Sequence, residues 1–292
     1  MAGWRFEAIG THWEIETASP LPEAVRSAVS AEIEVFDRAW SRFRTDSDVT
    51  RLGREGGALR SPDAGPLLDT YVALSDATAG AVNPLVADSL TALGYGPDYT
   101  LVAGEPRVAP AAWTQRVAWT AEDVTAASPA LLDVGAVGKG RLVDRVMAVL
   151  TAVPGDVVVD AGGDLRVRGP GVRVALEHPY DASRAIGVVE VGDAALCASA
   201  VNRRAWGDGL HHVLDARTGL PVRTWAATWA LASDAMTADA VATALFFDGG
   251  PALAATWGAG WVRMSTDGRV QRSPGFPAEL FIVEGSRRGA SD

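Results

Sequence analysis

The chain has 292 residues, 48% hydrophobic and 21% charged, with 36 acidic against 26 basic side chains and a net charge of -10. That length and composition suit a globular protein with a large core, and the acidic balance argues against a nucleic-acid or anionic-membrane partner. The single cysteine, Cys197, excludes an intramolecular disulfide and a cysteine-based zinc site, and within "AALCASA" it reads as a small buried hydrophobe.

The opening "MAGWRFEAIGTHWEIET" lacks the basic and apolar regions of a signal peptide, so a soluble cytoplasmic protein is expected. Residues 4–17 predict strand on both sides of Gly10. After Pro22, a residue suited to a first turn, Val25, Val29, Ile33, Phe36 and Trp40 recur at helical spacing. "GPLLDTYVALSDATAG" predicts a second helix stopped at Gly80, and the Gly- and Pro-rich 94–112 reads as loop. A helix over 140–152 leads to the strand "DVVVDAGG" (156–163), followed by the short strands "LRVRG", "VRVALEH" and "GVVEV". "HHVLD" (211–215) predicts another strand, 235–247 a small-residue helix and 260–283 two or three closing strands. The tail 284–292 is expected to be disordered. No repeat or low-complexity linker divides residues 1–283, which read as one α+β domain with helices packed on antiparallel β-sheets.

Four stretches can carry chemistry. "DVGAVGKG" (133–140) precedes a helix and has the glycines and lysine of an anion site, with backbone N–H groups and Lys139 as donors. It is neither G-x-G-x-x-G nor a P-loop, because Gly140 follows Lys139 where a P-loop has Ser or Thr. A plain strand-to-helix turn is the alternative. In "ASDAMTADAVATALFF" (232–247), Asp239 and Thr243 lie four apart on one helix face and offer hard oxygen ligands for Mg²⁺. Otherwise Asp239 faces solvent, Thr243 bonds back to its helix, and Asp234 is a cap or first-turn acid.

"HHVLDARTGLP" (211–221) gathers two histidines, Asp215 and Arg217. A histidine there suits a general base, Asp215 an orienting acid and Arg217 a partner for phosphate or carboxylate; alternatively Asp215 only organises the turn. On a strand, His211 and His212 point to opposite faces, so at most one faces a given pocket. In "VVVDAGGDLRVRG" (157–169), Asp160 and Asp164 either bind ribose hydroxyls or shape a hairpin around Gly162-Gly163.

In this order the stretches resemble the ApbE family of FAD:protein FMN transferases. "DVGAVGKGRLVD" is similar to D-L-G-G-I-A-K-G-Y-x-V-D, "HHVLDARTGLPV" to H-I-I-D-P-R-T-G-x-P, and "ADAVATALF" to A-D-A-L-A-T-A-L-F. The resemblance extends through "IGTHWEIE", "SRFRTDSDVTRL" and "AGAVNPLVADSLTALGYG" to nearly the whole chain. It implies a T-fold-related single domain that binds FAD and Mg²⁺, moves FMN onto a Ser or Thr of an acceptor protein and releases AMP. The alternatives within it are FAD hydrolysis to FMN and AMP, or FAD binding without catalysis.

By the same resemblance, Asp239, Thr243 and the Gly138 carbonyl hold the metal. Asp133, Gly135, Gly138, Lys139, Ser199 and Arg217 contact the dinucleotide, and His212 is the base, supported by Asp215. The sequence departs from the family pattern at Ala216, at Ala198 and Ala200 around Ser199, at Val201 and Asn202 where an aromatic is common, and at Asn83 and Gly53.

Overall fold

A computed structural model describes residues 1–281. The chain opens with a hairpin, β1 (Ala2–Ala8) and β2 (Thr11–Thr17), followed by α1 (Glu23–Trp40). Helix α1 buries Val29, Ile33, Phe36 and Trp40 along one stripe, and the Pro22 carbonyl accepts from Val25 and Arg26 at its start. Next come α2 (Asp48–Glu55), β3 (Gly57–Arg60), α3 (Ala64–Ala77), α4 (Ala87–Ala92), β4 (Ala118–Trp119) and β5 (Asp123–Ala126). The central part holds α5 (Gly138–Val149), β6 (Val157–Asp160), β7 (Asp164–Arg168), β8 (Val172–His178), β9 (Asp181–Val191) and β10 (Ala195–Ala200).

Two small pairs follow, β11 (Ala205–Trp206) with β12 (Leu210–His211) and β13 (Leu214–Asp215) with β14 (Leu220–Pro221). The chain continues through β15 (Trp225–Ala232), α6 (Ala235–Ala244), α7 (Gly250–Thr256), β16 (Gly260–Ser265), β17 (Val270–Arg272) and β18 (Glu279–Leu280). The disordered-tail expectation for 284–292 lies outside the described residues.

The main sheet runs β1-β2-β6-β7-β10-β15-β16-β17, antiparallel throughout. One face carries the helices and the larger core, with Ile15, Val159, Cys197 and Ala230 meeting Leu142, Val146, Val241 and Leu245. The other face packs Val167, Leu196 and Val262 against Leu176 and Val189 of a three-stranded sheet, β18-β9-β8. This antiparallel α+β layering agrees with the expected class. No helix among the described residues is long and apolar enough to cross a membrane.

Two expectations need correction. "HHVLD" is not one strand: His211 ends β12, Leu214 begins β13, and the chain breaks between them at His212 and Val213. The His211 side chain causes the break, because its Nδ1 accepts the Val213 N–H at 3.3 Å and its Nε2 lies 2.9 Å from the Val222 carbonyl. Helix α2 and the β3-β5-β4 sheet have no counterpart in the sequence reading. Helix α2 buries only Val49 and Leu52 and contains Gly53, so its periodicity is faint.

Helices α5 and α6 approach closely, and Gly140 makes that possible. A Cβ at Gly140 would overlap the Ala235 carbonyl oxygen and lie 2.7 Å from Asp239 Cβ. The start of α6 is pinned as well: Asp234 accepts from Thr237 N–H at 2.8 Å, and Asp144 on α5 accepts from Ala235 and Met236 at 2.9 Å each.

Candidate functional site

A cavity of about 460 Å³ opens where the start of α5, the Asp239–Thr243 turn of α6 and the end of β10 meet the loop after β12. Gly135, Gly138 and Lys139 line it from the loop, Asp239 and Thr243 from α6, and Ser199 and His212 from the sheet side. Asp133 lines it too, whereas Asp215 and Arg217 do not.

The loop 133–140 is held by its own contacts. The Asp133 carboxylate accepts from the Gly135 N–H at 2.7 Å and from the Arg42 guanidinium, while its carbonyl accepts from the Tyr71 hydroxyl at 2.8 Å. The Ala136 N–H donates to the Tyr71 oxygen at 3.2 Å, and Val137 and Gly138 donate to the Val134 carbonyl. The Gly140 N–H donates to Asp239 Oδ2 at 2.9 Å. The expected cradle of free N–H groups is therefore already paired at these five residues. Positive charge for an anion comes from side chains instead: Lys139, Arg203 and Arg204 line the cavity. Arg42 lines it as well, but is committed to Asp133 and to the Tyr95 carbonyl.

Asp239 is 3% exposed, and its Oδ2 is taken by Gly140. Burial, and then the charge of Asp164, push its carboxyl well above the usual range. Lys139 lies 3.2 Å from Asp164 Oδ2. Burial opposes the Lys139 charge, but Asp164 and Asp239 together hold the ammonium above its ordinary value. Two buried carboxylates thus share one lysine, and with both ionised the cluster carries one net negative charge.

That negative charge fits a cation. Asp239 Oδ1 accepts no hydrogen bond from the described residues, Thr243 stands one turn on, and its hydroxyl is 3.5 Å from the Ala136 carbonyl. Gly138 opens α5 and lines the same cavity, and the Ala136 carbonyl near Thr243 lies two residues before it. A carboxylate, a hydroxyl and a backbone carbonyl are oxygen donors of the kind Mg²⁺ takes.

Of the two histidines, His212 faces the cavity and His211 turns away to the Val222 carbonyl. His212 Nδ1 is sealed and has no hydrogen-bond partner. Burial first, then the Arg204 and His211 charges, lower the His212 pKa to about 3, so its imidazole is neutral. Asp215 does not support His212, contrary to expectation. Its carboxylate accepts from the Arg217 N–H and guanidinium at 2.9 Å, and its carbonyl accepts from Thr218 and Gly219, which organises the turn. Arg217 is thereby spent on Asp215.

Asp160 shapes the hairpin, accepting from Gly163 N–H at 3.1 Å. Asp164 neither lines the cavity nor closes the turn, so neither expectation describes it. Asn83 caps the short turn that leads into α4, accepting from Leu85 N–H at 2.9 Å, and Gly53 packs on Leu131 away from the cavity. Part of the cavity lining is aromatic and apolar. Phe43, Tyr95, Val86 and Leu90 belong to it, and Trp206 stacks behind Tyr95 with ring centroids 5.3 Å apart.

A family model described as the ApbE family matches residues 9–259. The chain belongs to the ApbE family. Two curated relatives to which the chain is similar are both named FAD:protein FMN transferase. The one from Rhodobacter capsulatus is 28% identical over 96% of this chain and 58% of its own length. The one from Klebsiella pneumoniae (strain 342) is 25% identical over 74% of this chain and 69% of its own. The chain thus spans less than two thirds of the first relative. Among solved structures, the ApbE protein of Thermotoga maritima superposes with a TM-score of 0.81 at 22% identity, covering 95% of this chain and 99% of that one. The flavin transferase ApbE from Vibrio cholerae gives 0.77 at 22% identity, covering 94% and 97%. These structures share the ApbE fold.

Arg42, Tyr71 and Asp144 receive no role from the sequence, although Arg42 lies in "SRFRTDSDVTRL" and Asp144 ends "DVGAVGKGRLVD". Each acts across a long sequence separation on Asp133, Ala136 or the start of α6, and local pattern does not show those partners.

Proposed function

We propose that this chain transfers FMN from FAD to a Ser or Thr hydroxyl of an acceptor protein and releases AMP. The observation that carries the reading is the convergence of Lys139, His212, Asp239 and Thr243 on one cavity that also has arginine and aromatic lining. Such a cavity suits a dinucleotide, with flat rings against Phe43 and Tyr95 and phosphates toward Lys139 and Arg204. The names of the Rhodobacter and Klebsiella relatives support the same activity.

In this reading the acceptor oxygen attacks the phosphorus of the FMN half. The new P–O bond forms as the bond to the AMP phosphate breaks, and the acceptor proton passes to the neutral His212 imidazole. Lys139 and Arg204 offset the negative charge that builds on the non-bridging oxygens and on AMP. Asp239, Thr243 and a carbonyl of the 136–138 loop would hold Mg²⁺, which supplies further charge neutralisation at the phosphates.

The test is incubation with FAD, Mg²⁺ and an acceptor carrying a flavinylatable Ser or Thr. A fluorescent protein band is expected, and Asp239→Ala should abolish it. AMP release without any labelled acceptor would replace transfer by hydrolysis, and intact FAD after prolonged incubation would leave a binding protein.

A further inference from the structure

Asp164 begins β7 directly after the Gly162-Gly163 turn and is 1% exposed. Among the described residues, neither carboxylate oxygen has a hydrogen-bond partner of good geometry, and the one counter-charge is the Lys139 ammonium at 3.2 Å. A carboxylate buried this way is costly. The hairpin does not need it. The turn is closed by Asp160, and Ala161 N–H bonds the Asp164 backbone carbonyl at 2.9 Å, a bond that any residue in that place would make.

Lys139 occupies the first turn of α5, and Gly140 beside it is bonded to Asp239. A flexible four-carbon stem therefore places the ammonium under the influence of two carboxylates, and both act on its charge. Among the described residues it forms an ion pair with Asp164 and none with Asp239.

We propose that Asp164 is a positioning residue that keeps Lys139 off Asp239, leaving Asp239 free for a divalent cation. The inference rests on the cation site given under Proposed function. With Asp164 in place, Lys139 is paired there, and an entering cation meets an Asp239 carboxyl that holds no ion pair with the ammonium. With Asp164 neutral, the ammonium and Asp239 cancel each other, and a cation has to displace the lysine first. An ammonium has three donors, so the contact with Asp164 leaves two for the phosphates.

The experiment measures Mn²⁺ binding without FAD, by electron paramagnetic resonance or calorimetry, on wild type, Asp164→Asn, Lys139→Met and the double variant. Asp164→Asn should bind Mn²⁺ about tenfold more weakly, the scale of one ionised neighbour a few ångströms away. The double variant should regain the wild-type affinity, because removing both charges restores the field at Asp239. A general structural role for Asp164 cannot produce that rescue. Unchanged binding in Asp164→Asn, or a double variant as weak as the single one, overturns the proposal. Wild type that binds no Mn²⁺ would instead remove the cation site itself. Melting curves check folding, and Lys139→Met, which strands Asp164, should melt lower than the double variant.

Discussion

Gly140 and Asp239 tie α5 to α6 at the cavity: the Gly140 N–H donates to Asp239 Oδ2 at 2.9 Å, and the glycine leaves no room for a side chain. A P-loop has Ser or Thr after its lysine. In the proposed cation site the hydroxyl and carboxylate come from another helix, and glycine lets that helix come near.

Gly140→Ala therefore sets two effects against each other. Alanine gains about 1 kcal/mol of helix propensity over glycine, but overpacking a tight contact costs about 1–3 kcal/mol. The Ala235 carbonyl in its path is backbone and cannot swing aside. The variant should melt a few degrees lower than wild type and lose Mn²⁺ affinity, because Asp239 is displaced. A higher melting temperature with unchanged Mn²⁺ binding would contradict this packing argument.

His212 gives stability a pH signature. Its folded pKa, lowered to about 3, lies below the ordinary 6.5. A depressed histidine stabilises the fold fully above 6.5 and loses that contribution as pH falls from 6.5 toward 3. The difference in unfolding free energy between wild type and His212→Asn should therefore shrink through this window and stay flat above it. Buried carboxylates affect both proteins alike and cancel in the difference. The same neutrality predicts no acid limb from His212 in the transfer rate at pH 5 to 8.

Asp144 holds the start of α6, four residues before Asp239, through Ala235 and Met236, and is paired with Arg166. Asp144→Ala removes two backbone caps and should destabilise the protein by about 1–2 kcal/mol in urea unfolding, as for strong N-caps. Asp144→Asn, which retains one acceptor, should fall between the two. Equal stability for all three would show that α6 needs no anchor.

Much of this was legible in local pattern. The stripe of Val29, Ile33 and Phe36 marked α1, and the four-residue spacing of Asp239 and Thr243 put both on the cavity side of α6. Local pattern fails where a partner is far away in sequence. Arg42 and Asp133 are 91 residues apart, and that pairing decides whether Asp133 meets ligand or loop. It also misleads where neighbours satisfy each other. Asp215 and Arg217 look like site residues beside His212, yet two residues of spacing let them close their own turn. Asp164 read as hairpin or ribose contact because nothing in "AGGDL" announces a lysine on another element.

The last test concerns the helical layer that carries the site. Asp63 is fully buried (0% exposed) and is held by Arg141 at 2.8 Å, by Arg145 and by the Ser61 hydroxyl at 3.3 Å. Ser61 in turn accepts from the Trp40 indole at 3.0 Å, so one carboxylate links α1, α3 and α5. Replacing such a group by a well-packed apolar set can be neutral, but removing one partner leaves the arginines uncompensated and costs about 3–5 kcal/mol. Arg141 and Arg145 remain partly exposed, which lets water recover some of that loss and places Asp63→Ala toward the lower figure. Urea unfolding of Asp63→Ala should show a midpoint shift of that size with an unchanged slope. Mn²⁺ binding at Asp239, which meets α5 at Gly140 and not at the arginines that hold Asp63, should persist in the fraction that stays folded. A loss of cation binding with full stability would mean that the network shapes the site rather than the layer beneath it.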